Sequence, residues 1–149
     1  MRLLINSLLL LALPLAGRAA ESCLWLNAAT ASGLLGGSVT ATVTHDTNNR
    51  DDAVCTFTRD HAEVRIEVIT NDPPRAEFTA RAAECTANPS PLKAIGNEAV
   101  VCGGSGSARV VGRVRNRVFV IRVNGDAGPD DVIREKARVV AEHVAGNLF

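Results

Sequence analysis

Apolar and polar residues alternate with period two over 39–45: Val39, Ala41 and Val43 on one side, Thr40, Thr42 and Thr44 on the other. That period predicts a half-buried strand. A second strand is expected from about Val54 to Arg59. In a third, over 63–69, Val64, Ile66 and Val68 alternate with Glu63, Arg65 and Glu67, so one face is wet. Polar residues 46–52 and the Asp60-His61 pair supply the turns between them. A short apolar strand follows over 99–102. The clearest hairpin covers 108–123, with a two-residue turn expected at Asn116-Arg117. In it Val110, Gly112 and Val114 share a face with Phe119, Ile121 and Val123. The opposite face carries Arg109, Arg113, Arg115 and Arg122, with Val111, Val118 and Val120 between them, and is expected to be largely wet.

Between the strands the period changes to that of a helix. Asn27 can cap a short helix over 28–35, which Gly36-Gly37 would end. Asp72-Pro73-Pro74 predicts a second start, with Asp72 as the cap. Phe78, Ala82 and Cys85 then recur at helical spacing until Asn88-Pro89 stops the run. The 103–107 stretch reads as a flexible glycine-serine turn. After Pro129-Asp130-Asp131 a long amphipathic helix is expected, with Ile133, Ala137, Val140, Val144 and Leu148 on its apolar stripe. Asp130–Arg134 and Arg138–Glu142 are candidate ion pairs at i,i+4. Together these elements predict an α+β domain: a single antiparallel sheet of about five to six strands, packed with helices, with a long C-terminal amphipathic helix.

The first twenty residues have a different logic. Met1-Arg2 opens with a positive charge, Leu8 to Leu13 is unbroken apolar sequence, and small residues follow at Gly17, Ala19 and Ala20. These are the parts of a secretory signal peptide, and the apolar run is too short to span a bilayer. We therefore expect a signal peptide over 1–20 and a single α+β domain over 21–149. The mature protein is expected to be exported, periplasmic or secreted. Cys23 lies where an acylated cysteine would sit, but Glu21 does not suit a lipoprotein processing site. No membrane anchor is expected in the mature chain.

All 16 acidic residues follow that segment, whereas Arg2 and Arg18 precede its end, leaving 14 basic residues and a net charge of −2. Such a balance gives no overall field for nucleic acid or anionic membrane. With one Trp, four Phe and no Tyr, stacking platforms for sugars or bases are scarce. The four cysteines, Cys23, Cys55, Cys85 and Cys102, read as two disulfides in an exported chain. Three pairings are possible, of which Cys23–Cys55 with Cys85–Cys102 is favoured. The second would close a loop through the proline-rich 88–91 connection.

The runs Cys23-Leu24-Trp25-Leu26, Leu35-Gly36-Gly37 and Cys55-Thr56-Phe57 recur in a class of small exported bacterial proteins. Ile95-Gly96-Asn97-Glu98-Ala99 and a basic hairpin before a C-terminal helix continue the pattern. The chain thus resembles that class, which includes actinobacterial lipoproteins with a fold like the photosystem subunit PsbP. The resemblance implies an antiparallel sheet between helices and an early disulfide matching Cys23–Cys55. It implies no catalytic residues.

Neither a Gly-x-Ser-x-Gly elbow nor a Walker loop is present, and no Cys-x-x-Cys pair suggests zinc. His45, Asp46, Asp51, Asp52 and His61 flank one hairpin and could gather around a metal, but we read them as turn residues, with no metal and no cofactor expected. His143 reads as a surface residue. The arginines at 109, 113, 115 and 122 are the candidate docking face for an acidic protein or anionic ligand, because guanidinium forks match carboxylates and phosphates. The expected function is a non-enzymatic extracytoplasmic binding or accessory module. The alternative is a hydrolase with an unrecognised active site.

Overall fold

The protein is described here by a computed structural model over residues 22–149. The expected signal segment lies outside the described residues. Helix α1 (Ala28–Leu35) begins where the Asn27 side chain accepts the Thr30 N–H at 2.8 Å and ends on Gly36 at φ 78°. Strands β1 (Thr40–His45), β2 (Ala53–Arg59) and β3 (Ala62–Thr70) follow as a meander. The chain then crosses through α2 (Pro74–Ala83) to the far edge. It returns through β4 (Ser90–Leu92), β5 (Glu98–Gly104), β6 (Ser107–Val114) and β7 (Arg117–Asn124), and ends in α3 (Asp130–Leu148). The sheet order is β1-β2-β3-β7-β6-β5-β4, every pair antiparallel, so the two meanders meet at β3 and β7.

Over the described residues the fold is α+β with one antiparallel sheet, but the sheet has seven strands rather than five or six. The extra one, β4, lies in the proline-rich connection. Pro91 has no N–H to donate, and proline is tolerated only at a sheet edge, which is where β4 sits. The sequence pattern hides it because three residues are too few to show a period.

The main core lies between the sheet and the α1–α3 layer. Phe57, Val64, Ile66, Val110, Phe119, Ile121 and Val123 meet Ile133, Ala137, Val140, Val144 and Leu148 there. Arg59 fixes α1 by donating from Nη1 to the Leu35 carbonyl at 2.6 Å, meeting one of the carbonyls a helix end leaves open. The disulfides join Cys23 to Cys55 and Cys85 to Cys102, with Cα separations of 5.8 and 5.5 Å. The first ties the chain before α1 to β2; the second ties the exit of α2 to β5.

Several local expectations are corrected. The β6–β7 turn is Arg115-Asn116, with Val114 opposite Arg117 and Arg115 at φ 53°. This differs by one residue from the expected turn and shifts the pairing by two. Because side chains alternate with period two, a two-residue shift keeps every face assignment. The arginine face is not largely wet: Val111, Val118 and Val120 are buried against Phe78 of α2. Asp72 does not cap α2; Pro73 holds the cap position and makes no side-chain cap bond. The helix ends at Ala83, so Cys85 lies beyond it. Ser105-Gly106 is a pinned turn, because the Asp130 carboxylate accepts both backbone N–H groups, at 3.0 and 2.8 Å. Asp130 therefore does not pair with Arg134, which reaches the Gly103 carbonyl and Ser90 hydroxyl instead. Arg138 does meet Glu142, and Glu135 as well. Among the described residues no helix is long and apolar enough to cross a membrane.

Candidate functional site

The α2 face of the sheet is ordered in cross-strand rows. One row runs Glu67, Val120, Val111 and Val100; Phe78 packs over its apolar members and Val118. In the next, Ile69, Val118, Arg113 and Glu98 stand in line. Arg113 there donates from Nε to its direct neighbour Glu98 at 2.7 Å. On the other side of the valine row runs Thr42, Thr56, Arg65, Arg122, Arg109 and Cys102. Three arginines therefore stand side by side on β3, β7 and β6.

Directly opposed like charges destabilise a sheet, so the partners of this row matter. Arg109 donates from Nη1 to Glu84 at 2.7 Å and from Nη2 to the Arg81 carbonyl at 3.4 Å, while its Nε is buried without a partner. Glu67 is shared: Arg81 approaches it to 3.5 Å and Arg122 only to 4.0 Å. Among the described residues Arg65 makes no side-chain hydrogen bond or ion pair. Burial, then the Arg109 cation and, less strongly, Arg65, push the Arg122 guanidinium below its ordinary value against the opposing pull of Glu67. The hydrogen bond from Arg109 holds the Glu84 carboxyl below the usual carboxylate range. The row is thus charge-compensated at its β6 end and undercompensated toward β7 and β3.

An open cavity of about 260 Å³ lies at the β6 end of the row, lined in part by Glu84, Thr86, Ser107, Arg109, Arg122 and Asn124. Its wall is held in place by the Cys85–Cys102 disulfide, which brings the segment after α2 beside Arg109. Of the four arginines singled out from the sequence, Arg109 and Arg122 belong to this site. Arg113 is engaged by Glu98 in a different row. Arg115 leaves the face altogether: it occupies the hairpin turn, and its guanidinium lies 5.9 Å from the Phe149 ring centroid. Arg65 was missed. Its place in a strand with a wet face was legible, but its neighbour depends on β3 pairing with β7 across 57 residues of chain.

Of the histidine and aspartate set, His45, Asp46 and Asp52 line one cavity, and His61 lies apart. Asp46 accepts from the Asn48 and Asn49 N–H groups of its own loop, and Asp52 accepts from Thr70 and Asn49. His61 sits at the β2–β3 turn, the opposite end of β2 from His45. That separation is about 20 Å at the rise of a strand. Among the described residues no group of three or more His, Cys, Asp or Glu is placed to hold a metal ion. His143 is exposed on α3.

No protein-family model and no curated protein matches the chain. A solved structure described as a GTP binding regulator from Thermotoga maritima is similar to it. The identity is 14%, over 86% of this chain and 91% of that one, with a TM-score of 0.47. A likeness this distant carries no argument about activity.

Proposed function

We propose that the protein is an exported, non-enzymatic binding module that takes a phosphate- or carboxylate-bearing ligand on the Arg65–Arg122–Arg109 row. The observation behind this reading is the row itself. Three cations placed in register across adjacent strands oppose folding, and the carboxylates nearby offset only one end. An arrangement that costs stability and presents guanidinium forks beside a cavity is suited to receiving an anion. Export is part of the proposal: it draws on the N-terminal pattern, and two disulfides are compatible with an oxidising compartment. So is the likeness to the PsbP-like exported class.

The test is titration of the full chain with inorganic phosphate, pyrophosphate and an acidic peptide, followed by calorimetry and amide chemical shifts. Expected are shifts confined to residues around 65, 109 and 122. Affinity should fall at least tenfold in Arg65→Gln and Arg122→Gln, as expected for the loss of one charge-assisted pair of about 1.5–3 kcal/mol. Binding that survives both substitutions, or no binding of any of the three probes, removes the row from the reading.

A further inference from the structure

Arg109 and its carboxylate partner are unequally placed. The Glu84 side chain is 53% exposed and that of Arg109 only 16%, and both line the cavity beside Arg122. The acids that serve the other arginines of this face are held deeper: Glu98 is 29% exposed and Glu67 20%. Glu98 also stands on a strand directly across from Arg113, whereas Glu84 sits at the exit of α2.

The backbone beneath Glu84 is fixed on both sides. Its own N–H donates to the Arg81 carbonyl at 3.3 Å, Cys85 is tied to Cys102, and the Gly103 N–H donates to the Ala87 carbonyl at 2.8 Å. The side chain is left free to move, and exposed side chains change rotamer within nanoseconds. Its hold on Arg109 is also incomplete. Glu84 takes one hydrogen bond, from Nη1; Nη2 reaches the Arg81 carbonyl at 3.4 Å, and Nε has no partner. A guanidinium carries five N–H donors and pairs best through two of them at once. Arg122, directly across the ladder, brings a second fork, whose nearest carboxylate among the described residues is 4.0 Å away.

We propose that Glu84 is an internal competitor for the anion site: its carboxylate occupies Arg109 in the free protein, and a phosphoryl-type oxyanion binds by displacing it and bridging Arg109 to Arg122. This rests on the reading of the arginine row as an anion site. A ligand carboxylate meeting Arg109 alone would replace the Glu84 contact like for like. A phosphoryl group gains, because its several terminal oxygens can accept from both forks. The displaced carboxylate turns into solvent, while the disulfide and the α2 exit stay in place. An exposed ion pair is worth little, so Glu84 weakens the site without closing it and sets the threshold that an anion must pass.

The test is calorimetric titration of the full chain and two variants with pyrophosphate. Glu84→Gln removes the charge and keeps the shape. Glu84→Asp keeps the charge but shortens its reach by one methylene, so that it no longer meets Arg109. Both should bind pyrophosphate about two- to fivefold more tightly than the parent, the range an exposed ion pair allows. Binding by the parent that neither variant tightens, or that either one weakens, overturns the competition and leaves the arginine row standing. Tightening in Glu84→Gln alone would mean that Glu84 acts by its charge at a distance and is not displaced, which overturns the proposal as well. No binding by the parent or by either variant removes the row itself, and the competitor with it.

Discussion

Gly112 lies directly opposite Phe119 in the β6–β7 ladder, and the Phe119 ring fills the space a side chain at 112 would need. A methyl group built at Gly112 falls 2.1 Å from the ring Cζ and 2.7 Å from both Cε atoms. Carbon atoms rest about 3.5–4.0 Å apart, so the ring would have to retreat by roughly 1.5 Å. It has little room: Phe119 is fully buried, in one core with the apolar stripe of α3. Overpacking a filled core costs about 1–3 kcal/mol, and a clash with an immobile ring belongs at the upper end, about 3 kcal/mol for Gly112→Ala. In a Phe119→Leu background the clashing Cε and Cζ atoms are gone. The same Gly112→Ala change should then cost less than about 1 kcal/mol, leaving a coupling of roughly 2 kcal/mol between the sites. Urea unfolding of the four proteins with disulfides intact reads this directly. A Gly112→Ala penalty below about 0.5 kcal/mol, or an equal penalty in both backgrounds, would refute the packing argument.

Other consequences follow from the staples and the pinned turn. Removing Cys85–Cys102 by a double alanine substitution opens a loop of sequence separation 17 and should cost about 3 kcal/mol in urea unfolding. Removing Cys23–Cys55, separation 32, should cost slightly more, about 3.7 kcal/mol. The Gly106 and Ser105 N–H groups hold the Asp130 carboxyl below its ordinary 3.8, so the folded state favours the carboxylate. Its contribution is full above that value and fades as pH falls through the lower folded one. Asp130→Asn should therefore flatten the acid limb of a stability–pH profile below about pH 4, and an unchanged limb would show that the turn does not depend on this charge.

The sheet faces were legible because period two survives errors of turn position. The misplaced β6–β7 turn still put Phe119 and Ile121 in the core, since the error moved pairing by two residues. The stripe of α3 was legible for the same kind of reason, a long unbroken period. What failed depended on partners distant in the chain. Nothing local shows that Phe78 would lie over Val111, Val118 and Val120, so the arginine face looked wetter than it is. Nothing local sends Asp130 to the Ser105-Gly106 turn rather than to Arg134 four residues on. The site suffered most, because Arg65 and Arg122 become neighbours only when the second meander returns to the first.

That late meeting of strands gives the arginine row its sharpest consequence, the sign of its effect on stability. A structural ion-pair network loses stability when a member is removed, whereas a row of opposed cations gains it. Arg113, bonded at 2.7 Å to Glu98, belongs to the first kind. Arg122, with its closest carboxylate at 4.0 Å and its side chain 36% exposed, belongs to the second. Relief of one directly opposed pair is worth roughly 0.2–1 kcal/mol, and solvent screening places this one in the lower half of that range. Arg122→Gln should therefore leave the melting temperature unchanged or raise it by about 1–2 °C, while Arg113→Gln lowers it. Arg65→Gln relieves the same Arg65–Arg122 repulsion, so the double variant should gain less than the two single gains combined. Denaturation of these four variants beside the parent protein decides the matter independently of any ligand. If Arg122→Gln instead costs more than about 1 kcal/mol, the row is a folding network, and the stability sacrifice on which the binding proposal rests does not exist.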